Sequence, residues 1–334
     1  MTSVSVVVVT FNGWSLLRDC LLSLERQHRP ASEIIVVDNG SDDGTREQLS
    51  AGFPNITYLD AGRNLGFAAG NNVGIARARG EAIVLLNNDT VAEPEFLARL
   101  IKPMERNPRV GSVASTMVFS GAPDTVASAG IEVFDNGMAL DRGLGFQRGA
   151  FVAETPVFGA SAGAAAYRRA ALDEAGLFPE SYFMYLEDAD LAWRLRLRGW
   201  ETVHAPGAVV RHAYSASSVE ASPRKRFLLA RNRIWVIARC VPGSLLQRHW
   251  WRIMRYDALV VGYAAARLDH AVIRGRLAGL FGLPARMVER ERIQASARVS
   301  AGEPCVWVRP SIPGAELQRL RRITASLTIA GTRR

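Results

Sequence analysis

The 334 residues carry 41 Lys and Arg against 32 Asp and Glu, a formal net charge of +9, and 48% of them are hydrophobic. That share supports a sizeable core, excludes a disordered chain, and with this length suits about two domains. Three scattered cysteines, Cys20, Cys240 and Cys305, exclude a disulfide framework and a cysteine-built zinc site.

The first half alternates strand and helix patterns. Ser5-Val-Val-Val-Val9 is a short β-branched run, expected of a parallel strand covered on both faces. No basic leader precedes it, so no signal peptide is expected. Leu17, Cys20, Leu21 and Leu24 predict a helix over 15–27. Ile34–Val37 predicts a second strand, ending in the turn cluster 38–44, and Ile56–Leu59 a third. A helix over 66–79, a strand over 82–86, a helix over 94–106 opened by Pro94, and a strand over 110–118 complete the alternation. This order predicts an α/β fold with a doubly wound, mostly parallel sheet.

Between 120 and 155 the pattern fails; recurrent glycines suggest hairpins or a mobile loop. A strand is expected near Val157, a helix over 167–175, and a further helix over 187–198 that stops at Gly199. Beyond Ser222 come arginine-rich helices, 224–239 and 245–280, and a weakly patterned tail. The longest uncharged apolar stretch there, Ala258–Ala266, is nine residues, against the ~20 that a spanning helix needs. The few scattered cysteines make a reducing cytoplasm the default expectation. Residues 1–219 hold 19 basic and 25 acidic side chains, a net −6, whereas 220–334 hold 22 and 7, a net +15. The division predicts two regions, 1–219 and a basic, mainly helical 220–334. The basic region points to a polyanion: nucleic acid, a phosphate-bearing substrate or an anionic membrane surface.

Ligands of an open parallel sheet bind beyond the carboxyl ends of its strands. Those ends hold Thr10-Phe11-Asn12, Asp38-Asn39-Gly40-Ser41, Asp60 to Asn64, and Asn87-Asn88-Asp89. No strand is followed by a dinucleotide or P-loop glycine pattern. Asp38 suits the imide N–H of a pyrimidine base, and Asp89 a hard divalent cation that also touches phosphates. Both equally suit the start of a turn. Glu187, Asp188 and Asp190 open a helix, where the macrodipole favours acids; three in four residues exceed what capping needs, and a carboxylate here suits a general base. Of His204 and His212, the latter follows an apolar run that would deliver it into a crevice. Gly159-Ala-Ser161-Ala-Gly163 has the letters of a nucleophile elbow without its helix or its partners.

Taken together, Val6-Val-Val-Val-Thr10-Phe-Asn12, Ile35-Val-Val-Asp38-Asn-Gly-Ser41-Asp42, Asn64-Leu-Gly-Phe67-Ala-Ala-Gly-Asn71-Asn72, Leu85-Leu-Asn87-Asn-Asp89-Thr90 and Phe183-Met-Tyr-Leu-Glu187-Asp188-Ala-Asp190-Leu-Ala-Trp-Arg194 resemble inverting family 2 glycosyltransferases of the GT-A nucleotide-sugar-binding fold. The resemblance covers about residues 3–240 and is strongest to the rhamnosyltransferase-like branch, which includes galactofuranosyltransferase relatives. It implies that Thr10, Asn12 and Asp38 line the base and ribose pocket and that Asn64 and Asn71 approach the donor. It implies that Asn87-Asn88-Asp89 stands at the family's Asp-x-Asp metal motif, with Asn87 departing from it. Asp89 and His212 would then hold Mg²⁺ or Mn²⁺, and Asp188, paired with Glu187, would be the base.

The resemblance further implies a nucleotide-diphospho-sugar donor, first dTDP-L-rhamnose, and a cell-envelope glycolipid or polysaccharide precursor as acceptor. A UDP-sugar donor, or a non-catalytic nucleotide-sugar-binding or membrane scaffold role, is the alternative. Arginines 224, 226, 231, 233, 239, 248, 252 and 255, interleaved with Phe227, Trp235, Trp250 and Trp251, suit an interfacial membrane helix, and no nucleic-acid module is recognisable. A peripheral protein on the inner face of the cell membrane is the resulting expectation.

Overall fold

A computed structural model describes residues 2–213, 222–300 and 302–331. The boundary expected between 219 and 220 lies outside the described residues. The chain runs β1 (Val4–Thr10), α1 (Trp14–Glu25), β2 (Glu33–Asp38), α2 (Thr45–Gly52), β3 (Thr57–Asp60), α3 (Gly66–Arg77), β4 (Ala82–Asn87), β5 (Thr90–Ala92), α4 (Phe96–Arg106) and β6 (Val110–Phe119). It continues through β7 (Ala122–Ser128), β8 (Ile131–Phe134), β9 (Ala139–Asp141), β10 (Thr155–Pro156), β11 (Ala164–Arg168), α5 (Arg169–Ala175), α6 (Glu187–Leu197) and β12 (Glu201–His212). The remainder is α7 (Pro223–Cys240), α8 (Gly243–Ala266), α9 (His270–Phe281), α10 (Leu283–Ala295), β13 (Val308–Arg309) and α11 (Gly314–Gly331).

The main sheet has the order β10-β12-β6-β11-β4-β1-β2-β3. Strands β1 to β4 are parallel in the order 3-2-1-4, and β6 and β12 are parallel to each other. Strand β11 runs antiparallel between β4 and β6. Side chains alternate across β1: Val4, Val6 and Val8 enter a core with α1 and α4, while Val7 enters one with α3, α5 and α6. This is the period of two that a strand buried on both faces requires. Each fully buried Leu or Ile in these layers contributes ~1.5–3 kcal/mol.

The glycine-rich stretch takes the hairpin alternative: β7 pairs antiparallel with β6 and β9 with β8, and β8 and β9 join β13 in a second small sheet. Two local expectations change. Residues 164–168 form β11, so the helix expected from Tyr167 starts only at Arg169. The single helix expected over 245–280 is two helices. The chain breaks at Leu268, whose φ is 53°, and Asp269 caps α9 by accepting from the Val272 N–H at 3.4 Å.

A third core lies outside the sheet. It joins Ile131, Val133, Phe158, Tyr182 and Trp193 to Trp235, Val236, Cys240, Val241 and Leu245, so residues on both sides of 220 share it.

Candidate active site

The carboxyl ends of β1 to β4 open on one crevice. Thr10 is buried there, and its Oγ1 accepts from Asn88 Nδ2 at 3.1 Å. Asp38, also buried, accepts from the Ser41 N–H and hydroxyl at 2.8 and 2.6 Å through Oδ1, and from the Tyr58 hydroxyl at 2.9 Å through Oδ2. These bonds fix its carboxylate at the carboxyl end of β2. Asn12 has a φ of 45° and lies exposed at the rim; its N–H donates to Ser41 Oγ and its Oδ1 accepts from the Asp42 N–H, both at 2.9 Å. Asp43 accepts from the Gly13 and Trp14 N–H groups, closing the N-terminus of α1 from the neighbouring loop.

Asn64 accepts from the Gly66 N–H at 2.9 Å, setting the turn that starts α3. Asn39 donates to the Gly66 carbonyl at 3.1 Å, so the loops after β2 and β3 are joined. Gly66 has a φ of 81°, and a Cβ there would lie 2.5 Å from the Phe183 carbonyl oxygen; only glycine fits. The same carbonyl accepts from the Ala68 N–H at 3.1 Å, bringing the loop before α6 against the start of α3. Asn71 is buried and its side chain donates back to the Phe67 carbonyl at 2.9 Å. Its neighbour Asn72 instead bridges to the Phe178 backbone, donating to its carbonyl and accepting from its N–H.

Asn87 ends β4, and its N–H donates to the Gly163 carbonyl at 2.8 Å. Asp89 follows in the turn to β5, which pairs antiparallel with β12 so that Thr90 faces His212. That register sets His212 Nε2 3.0 Å from Asp89 Oδ1, both buried. Burial opposes charge on His212, but Asp89 outweighs it and raises the proton affinity of the imidazole above its ordinary value. His204 is elsewhere: it is fully buried beside Thr116, and burial, helped by Arg142, pushes it down to about 4.

Asp188 is half-buried at the start of α6. Its Oδ2 accepts from the Ala162 N–H at 3.2 Å and its Oδ1 from the Ala189 N–H at 2.8 Å. Burial and the neighbouring charge of Asp141 push it up to about 6, against the two N–H bonds. Glu187 is buried, and burial with the charges of Asp188 and Asp190 holds its proton far above the usual carboxylate range. Asp190 differs. Burial works against its charge, yet Arg194 at 2.8 Å and Arg239 at 3.2 Å keep it ionised, with Tyr182 and Cys240 donating to it. The three acids therefore differ: burial opposes ionisation of Glu187 most, sets Asp188 at about 6, and is offset at Asp190 by its two arginines.

Asp141, at the end of β9, is absent from the sequence-based set. Burial raises its proton affinity, while the Ser128 and Ser161 hydroxyls and the charge of His212 favour its ionised form. Residues 161–163, the segment with the letters of a nucleophile elbow, are the seam of the site. Ser161 faces Asp141, Ala162 binds Asp188 and Gly163 binds Asn87.

The turn before Glu187 is strained. Phe183, Tyr185 and Leu186 have φ of 65°, 73° and 67°, a conformation that costs non-glycine residues ~1–3 kcal/mol each. Helix α7 holds it. The Asn232 carboxamide, fully buried, donates to the carbonyls of Tyr182, Met184 and Tyr185 at 3.1, 3.0 and 2.8 Å. Arg231 donates to the Ser181 and Tyr182 carbonyls, and Arg224 stacks over the Phe183 ring. The signal for Asn232 was its place on the buried stripe Leu228, Asn232, Trp235, Val236 and Arg239 of a helix otherwise basic on its surface.

Residues 5–176, more than half of the chain, match the model of Glycosyl transferase family 2. The N-acetylglucosaminyl-diphospho-decaprenol L-rhamnosyltransferase of Mycobacterium tuberculosis (strain H37Rv) is 29% identical over 272 residues, 74% of this chain and 86% of the relative. The mannosyltransferase PcManGT of Pyrobaculum calidifontis, solved with GDP-Man and Mn²⁺, superposes with a TM-score of 0.54 at 19% identity, covering 99% of this chain and 86% of its own. GalNAc-T7, solved with UDP, GalNAc and Mn²⁺, gives 0.62 at 15% identity over 92% of this chain and 58% of its own. The two structures share the GT-A sheet with this protein, and the family match places its chemistry: the chain belongs to glycosyl transferase family 2 and is a glycosyltransferase.

Proposed function

We propose that the protein transfers L-rhamnose from dTDP-L-rhamnose, with inversion, to a hydroxyl of a lipid-linked cell-envelope precursor. The observation that carries the catalytic part is Asp188. It is a carboxylate tuned to about 6, held by two N–H groups and adjacent to Glu187, whose ionisation burial opposes, near Asp38, Asn87 and Asp89 at the strand ends. Donor and acceptor rest on the mycobacterial relative, whose name gives both its sugar and its lipid-linked substrate.

Asp188 takes the proton of the acceptor hydroxyl as its oxygen attacks the anomeric carbon. The bond from that carbon to the diphosphate breaks, and the nucleoside diphosphate leaves with the electron pair. One displacement inverts the configuration. Thr10, Asn12 and Asp38 would seat the base and ribose, with Asn64, Asn71, Asn87 and Asn88 toward the rest of the donor. Asp89 and His212 fit a divalent cation. Among the described residues no three acidic, His or Cys side chains are placed to hold a metal ion by themselves, so the other ligands of Mg²⁺ or Mn²⁺ would be diphosphate oxygens and water. Such an ion, when bound, supplies neutralising charge for the leaving diphosphate.

The test is nucleotide release from a donor panel of dTDP-rhamnose, UDP-galactofuranose and other UDP-sugars, with and without Mn²⁺. Asp188→Asn is expected to lose ~10²–10⁴-fold in turnover while still binding nucleotide. A UDP-sugar turned over in preference replaces the rhamnosyl donor, and near-normal transfer by Asp188→Asn removes the mechanism.

A further inference from the structure

The arginines of the C-terminal third do not act as one set. Arg231 grips the strained turn, Arg233 pairs with Asp257 at 2.5 Å, Arg239 with Asp190 and Glu289, and Arg252 with Asp135. Arg226 pairs with Asp269, and Trp235 is buried with its N–H on the Gly279 carbonyl. The surface of α7 expected to meet a membrane is thus largely spent on holding the protein together.

A different surface remains. In Ala258–Ala266, the uncharged second half of α8, only Ala264 is buried. Leu259 is 65% exposed, Tyr263 59%, Leu268 at the α8–α9 corner 74% and Phe281 at the end of α9 83%; Trp250 and Met254 are exposed earlier on α8. Water-exposed apolar surface of this extent marks a contact site. Arg248, Arg255, Arg267 and Arg274 are exposed around it, and among the described residues no carboxylate pairs with them. The acids of α8 and of the α8–α9 corner are turned to internal partners, Asp257 to Arg233 and Arg276, and Asp269 to Arg226. In α10, Glu289 is likewise held by Arg239 and Arg286.

We infer that the second half of α8, the α8–α9 corner and the end of α9 dock on an anionic lipid bilayer. Charge complementarity selects this occupant. A second copy would set the same four arginines against themselves, whereas anionic headgroups meet them while the apolar side chains enter the acyl boundary. No helix among the described residues is long and apolar enough to cross a membrane, so the contact is interfacial. The inference deepens the functional reading, and its purpose rests on that reading: the docked face brings the crevice to a lipid-linked acceptor.

The full chain is tested on phosphatidylcholine vesicles with and without phosphatidylglycerol, by co-sedimentation and by the tryptophan emission that Trp250 and Trp251 would shift to the blue. Wild type is expected to bind the anionic vesicles at low salt. Leu259→Glu with Phe281→Glu, at exposed positions that leave the cores intact, is expected to weaken binding roughly tenfold or more. Nucleotide release with a water-soluble acceptor should be unchanged in this double variant, which separates the two ideas. A chain that binds vesicles but releases no nucleotide loses the transferase reading and keeps the docking face. Absent vesicle binding, equal binding by the double variant, or a dimer that the double variant dissolves overturns the docking face.

Discussion

Glu187 and Asp188 are adjacent, burial disfavours charge on both, and each makes ionisation of the other harder. A base must be deprotonated to act. The proposed kcat/KM should therefore rise with pH through about 6 and level above it, as a pH–rate profile at saturating metal would measure. The charge of Asp141 pushes this value up, so Asp141→Asn should move the inflection below 6, and an unmoved inflection would show that Asp141 does not act on the base. Asp188, Asp89 and His212 were legible because each stands at a strand end or helix start, where chain order alone locates the crevice. Asp141 was not, since β9 is three residues long in a glycine-rich run without hydrophobic period.

The strained turn at 183–186 and α7 act as a pair of elements. One carboxamide, Asn232, shares its two N–H groups among the carbonyls of Tyr182, Met184 and Tyr185 in and beside the positive-φ turn. Leaving a buried acceptor unsatisfied costs ~1–3 kcal/mol. Asn232→Ala should thus lower the thermal midpoint by several degrees. It should also reduce kcat of the proposed transfer more than donor KM, because Asp188 follows the turn directly while the proposed base-binding residues stand at the ends of β1 and β2. A variant with normal kcat would show that the turn keeps its shape unaided. The break between α8 and α9 belongs to this scale too. Asp269 was the readable cap, but apolar periodicity continued through it and concealed the corner.

Across the whole molecule, the basic third is part of the folded body. Tyr182 and Trp193 pack with Trp235, Val236 and Cys240, and Asp190 would be a buried anion short of one cation without Arg239. Truncation before α7 exposes this core and strands the Asp190 charge, a loss of several kcal/mol. Residues 1–219 alone should therefore show no cooperative melting by circular dichroism and collect in the insoluble fraction. A soluble, sharply melting fragment would show that the sheet domain stands by itself. The contrast of −6 and +15 survives as a sequence fact, but among the described residues Asp135, Asp190, Glu174 and Glu132 pair across the division with Arg252, Arg239, Arg298 and Arg309.

Local sequence was enough to set the doubly wound sheet, the crevice at its carboxyl edge and most of the candidate residues. These follow from short hydrophobic periods and from motifs placed where β-branched runs end, and such information is written in neighbouring residues. Tertiary packing settled which acids burial makes harder to ionise, which are paired, and which arginines face inward. It also assigned Asn232 to the turn before Asp188. Those outcomes depend on burial and on partners tens to more than a hundred residues away, such as Asp135 for Arg252, and no window of sequence records that distance.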